Sequence, residues 1–121
     1  MKKLLVGLMV LGMAGACYAR GTAKAEKTSK ITGEVVDITC YANHGAKGEK
    51  HASCAQKCLT GGMPAGILAD GKLWVATMKD HSAPNAKLAP MAGKTVTATG
   101  TEIEKNGTHI FEIDTVEAAA K

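Results

Sequence analysis

Aromatic side chains are scarce, with one Trp, two Tyr and one Phe in 121 residues. Past the first nineteen residues only Tyr41, Trp74 and Phe111 remain. Lysine and arginine outnumber Asp and Glu by 15 to 11, and without Lys2 and Lys3 the balance is 13 against 11. So weak a positive charge with so few rings does not suit the basic, aromatic-lined groove that grips single-stranded nucleic acid, and that partner is set aside. The chain also lacks a phosphate loop, GxSxG, HExxH and a dinucleotide fingerprint. No Ser, His and carboxylate are spaced to suggest a triad, so no catalytic residue is assigned. There is no internal repeat, and no apolar run long enough to span a bilayer comfortably.

The apolar run that is present, Leu4 to Ala16, follows Lys2 and Lys3 and precedes small residues. This layout is that of a secretory signal, assigned to residues 1–19. Cleavage after Ala19 yields a protein free in the periplasm or medium. Cleavage before Cys17, at the loose lipoprotein box "AGAC", would leave a lipid anchor on Cys17, the one route to a membrane. Either way the expected compartment permits disulfides, and the folded domain keeps three cysteines, an odd number that demands a ligand, a partner or a reactive role for at least one thiol.

Residues 20–30, "RGTAKAEKTSK", are polar and lysine-rich, and read as a flexible leader. "ITGEVVDITC" is a β-branched run and predicts a first strand ending at Cys40, with Gly33 marking a bulge or bend. "GEKHASCAQKCLTGG" predicts a helix stopped by Gly61-Gly62. "GILADGKLWVATM" and "KTVTATGTEIEKNGTHIFEIDTVE" predict two hairpins, about Asp70-Gly71 and Asn106-Gly107, with "SAPNAKLAPMAG" a short helix or turn between them. The order is that of a mainly β, five-stranded Greek-key barrel resembling the OB-fold, over residues 31–117. A helical insertion, 40–62, follows strand 1, a short helix joins strands 3 and 4, and residues 118–121 form a tail.

The insertion carries the chemistry. "CYANHGAKGEKHASCAQKC" holds Cys40, His44, His51, Cys54 and Cys58 within residues 40–58. On a helix, at about 100° per residue, His51, Cys54 and Cys58 fall within about 60° of arc. Cys40, at the end of strand 1, is placed to close over that stripe. Three thiols plus one imidazole, His51 before His44, make a donor set suited to zinc or copper. Two alternatives remain open. One is a disulfide from Cys40 to Cys54 or Cys58, or between the latter two, in an envelope interaction domain without metal. The other is thiol-redox chemistry at Cys54 and Cys58. Other candidates are weaker: His81 reads as a solvated turn, His109 as an exposed strand residue, Met63 as a thioether ligand or core filler, and Met78, Met91 and Trp74 as core. Lys57 is placed to lower the Cys58 pKa, though such a lysine is usually a solvated face.

The CxxxC pair with a nearby histidine is similar to the copper-carrying motif of exported copper chaperones for respiratory oxidases. Their thioredoxin-like scaffold has no counterpart here, so the likeness is confined to Cys54 and Cys58. More broadly, "GEVVDITCY", "HASCAQKCLTGGMPAG" and "GKLW" resemble a group of small exported bacterial proteins that share an OB-like barrel and an insert of the form CY…HxxCxxxC…GxP. The resemblance places Cys40, His51, Cys54 and Cys58 on the motif positions and implies no substrate. The expectation is an exported metal-binding module in the cell envelope, with an envelope or respiratory protein as partner.

Overall fold

The computed structural model describes residues 27–120. The expected signal, Cys17 and most of the leader lie outside the described residues. The described residues form a closed barrel in the strand order β1-β2-β3-β5-β4, which is the OB-like arrangement expected from the sequence. The strands are β1 (Thr28–Asp37), β2 (Ala65–Ala69), β3 (Lys72–Met78), β4 (Thr95–Lys105) and β5 (Thr108–Ala118). All neighbouring strands run antiparallel except β3 and β5, which are parallel.

Both hairpins turn where two positive φ angles are needed in succession. Asp70 and Gly71 have φ of 51° and 73°, and Asn106 and Gly107 have 52° and 79°. These are the residue types that adopt such angles at least cost. Along β4 the pattern is binary: Val96, Ala98 and Gly100 are buried while the intervening threonines face outward. The core gathers Val35, Ile67, Leu88, Val96, Phe111 and Ile113, all 0% exposed. Trp74 closes one part of it, edge-on to Phe111 with ring centroids 6.1 Å apart. Met78 and Met91 pack against this core, as expected.

Several boundaries differ from the sequence reading. Strand β1 begins within the supposed leader, because Thr28, Ser29 and Lys30 pair with Thr101, Gly100 and Thr99. Strand β5 runs into the supposed tail, because Ala118 pairs with Val96. Both extensions come from partners far away in sequence, which local composition does not register. Gly33 is a close approach rather than a bulge: a Cβ there would lie 2.4 Å from the Leu68 carbonyl oxygen. The register shift falls instead between Thr99 and Gly100, where β4 faces β5.

The insertion after β1 holds two helices, α1 (Ile38–His44) and α2 (Ala52–Thr60), with a 3-10 turn over Glu49–His51 between them. A third short helix, α3 (Asn85–Leu88), lies between β3 and β4. Three links fix the insertion to the barrel. The Glu34 carboxylate accepts from the Gly48 N–H. Leu59 of α2 is fully buried in the core. Asn85 Nδ2 donates to the carbonyls of Leu59 and Met63, 2.7 Å each, and so clamps the end of α2.

Candidate metal centre

Asp37 determines how Cys40 is presented. Its Oδ1 accepts from the N–H groups of Thr39 (2.8 Å) and Cys40 (3.3 Å). It is therefore the N-cap of α1, and the chain leaves the strand at this residue. Cys40 consequently lies in the first turn of a helix, not at the end of a strand as expected. Gly45, with φ of 66°, ends α1 in the left-handed conformation, and its N–H bonds to Tyr41 O at 2.8 Å.

Cys54 and Cys58 sit four residues apart on α2, and so share one of its faces. That face meets Cys40. The three sulfurs lie within 4.8 Å of one another and can hold a metal ion. Among the described residues all three cysteines are free thiols. Cys54 is exposed, whereas Cys40 and Cys58 are half-buried.

The histidines are placed less closely. His51 ends the 3-10 turn and precedes α2, so the helical arc that grouped it with the cysteines does not apply. His44 is the last residue of α1. Both line the same cleft as Cys40 and Cys54, with a volume of about 240 Å³, but neither imidazole joins the compact group of sulfurs. Both are exposed.

A further residue on this cleft was not among the sequence candidates. Asp37 is 1% exposed, and its second oxygen, Oδ2, is buried without a hydrogen-bond partner. The thiols of Cys40 and Cys58 interact directly with this carboxylate. Its pull on their protons, added to burial and to the repulsion of its charge, raises both thiols, with Cys58 pushed up to about 11. Lys57 does not offset this, contrary to the lowering considered from sequence. A signal for Asp37 was present in "DITC": an Asp just before a residue run that can turn helical is an N-cap pattern. The β-branched neighbours outweighed it.

The remaining candidates lie elsewhere. His81 is an exposed turn residue with φ of 63°, 3.4 Å from Glu112. His109 is half-buried rather than exposed, packed edge-on to Trp74 at 5.6 Å. Met63 is exposed, so it fills no core gap. Compared with known proteins, the chain matches no family model, no curated protein and no solved structure.

Proposed function

We propose that this protein is an exported metal-binding domain of the cell envelope, in which an OB-like barrel carries a three-thiol site for zinc or copper. The observation that carries the reading is the convergence of Cys40, Cys54 and Cys58 to within 4.8 Å, from two separate helices. Zinc–sulfur bonds of about 2.3 Å place thiolates roughly 3.5–4 Å apart, which that spacing accommodates. Charge supports it further. The carboxylate that keeps protons on the thiols does so by disfavouring more negative charge, and the same field favours a cation that displaces those protons.

Export, and kinship with the small bacterial proteins that share the CY…HxxCxxxC…GxP insert, belong to the same proposal. The site serves metal handling, or stabilises a module that binds an envelope or respiratory protein. His51 and His44 line the same cleft as Cys40 and Cys54.

The same closeness of sulfurs also favours a second reading, one disulfide and one spare thiol in an interaction domain without metal. Thiol-redox catalysis with Cys58 as the attacking thiol is disfavoured, because an attacking cysteine needs a lowered pKa and Cys58 is raised. Elemental analysis and a free-thiol count on protein recovered from the periplasm separate these readings. About one zinc or copper per chain with no disulfide is expected. One disulfide, one free thiol and no bound metal would overturn the metal reading.

A further inference from the structure

The carboxylate of Asp37 does more than a helix cap requires. Capping α1 uses only Oδ1, which takes the N–H groups of Thr39 and Cys40. Ser, Thr or Asn would cap as well, without carrying a charge into the interior. Asp37 instead is 1% exposed, and Oδ2 is buried with no hydrogen-bond partner among the described residues. A buried carboxylate oxygen left this way is costly unless a cation or a donor meets it. The three-sulfur group is where such a cation would be held, since Asp37 lines one cleft with Cys40 and Cys54.

We infer that Asp37, through Oδ2, is the fourth donor of the three-thiol site and makes it a site for a divalent ion of the zinc class in preference to Cu(I). This rests on the metal reading above and deepens it. Cu(I) is soft and singly charged, and gains little from a carboxylate oxygen, whereas zinc accepts sulfur and carboxylate together. A divalent ion also offsets more of the negative charge of three thiolates and a carboxylate than a monovalent ion does. The imidazoles of His44 and His51, on exposed residues at the cleft, are then outer groups and not ligands. Because neither Asp37 oxygen joins the compact sulfur group, four-donor binding requires the carboxylate and the thiols to draw closer together on metal uptake.

The test is zinc X-ray absorption on the zinc-loaded exported protein, paired with zinc and Cu(I) affinities of the protein and of Asp37→Asn, which keeps the cap acceptor. The expected spectrum has three sulfurs and one oxygen, without the outer-shell scattering that an imidazole ligand gives. The expected variant loses at least about tenfold in zinc affinity and little in Cu(I) affinity, while a His44→Ala, His51→Ala double variant keeps its zinc affinity. Should Asp37→Asn not fold, Asp37→Ser retains a capping oxygen, and the spectrum of the unaltered protein decides alone. Imidazole scattering, or undiminished zinc affinity in the folded Asp37 variant, would overturn the role of Asp37 and leave the metal reading standing. Failure of the unaltered protein to bind either ion would overturn both.

Discussion

At the scale of single residues, the behaviour of the thiols with pH follows from the charge beside them. Cys58 rises from the usual 9.0 to about 11, through the attraction of its proton to Asp37, burial and the Asp37 charge. A group that holds its proton more firmly when folded stabilises the fold below its unfolded pKa, and loses that contribution as pH climbs through the folded value. The metal-free, reduced protein is therefore expected to lose stability between pH 9 and about 11, and Cys58→Ser is expected to flatten that slope; urea midpoints across this range measure it. Metal affinity has the opposite sign, rising with pH because bound protons compete with the ion. Gly100 offers a purely steric counterpart. A Cβ there would lie 1.9 Å from the Glu112 carbonyl oxygen, against backbone that cannot swing aside. Gly100→Ala is expected to destabilise the barrel by roughly 2–3 kcal/mol, read as a lower urea midpoint.

At the scale of elements, helix α2 carries two of the three converging thiols and a piece of the core, and Asn85 clamps its end. Asn85→Ala removes the donor that serves the carbonyls of Leu59 and Met63 and is expected to cost about 1–3 kcal/mol. The loss should appear as faster amide exchange in α2 and weaker metal binding, with the β4–β5 hairpin unaffected. Cys54 and Cys58 were legible as a pair in the sequence, because a spacing of four puts two side chains on one helical face. The two hairpins were legible for a similar reason, since Asp-Gly and Asn-Gly encode their own backbone angles. Cys40 was read onto a strand because Ile38 and Thr39 are β-branched, whereas the Asp37 cap starts a helix there. His51 was read onto the helix face, but the 3-10 turn precedes α2 and resets the angle. Local propensity carried what local bonds decide. It missed the buried Asp37 oxygen, whose importance arises only when α2 brings Cys54 and Cys58 to Cys40.

At the scale of the whole molecule, the barrel is closed by long-range pairing while the insertion contributes only Leu59 to the fully buried core, with Ala55 partly buried against it. Metal held at the three thiols is therefore expected to add stability on top of a core that the barrel strands supply. Metal at about a hundredfold above its dissociation constant should add about 2.7 kcal/mol. For a domain of this size that corresponds to a rise in Tm of roughly 10–20 °C. Chelation should reverse the rise and leave the barrel's β signal in circular dichroism intact; loss of that signal on chelation would mean the metal is required for folding itself.

Three thiols from α1 and α2 are proposed to converge on one ion. Differential alkylation, read by mass spectrometry at each cysteine of the reduced protein with and without one equivalent of zinc, tests it most directly. The account predicts that Cys40, Cys54 and Cys58 become protected together, in proportion to zinc up to one equivalent. Undiminished labelling of any one of the three at saturating zinc would contradict it.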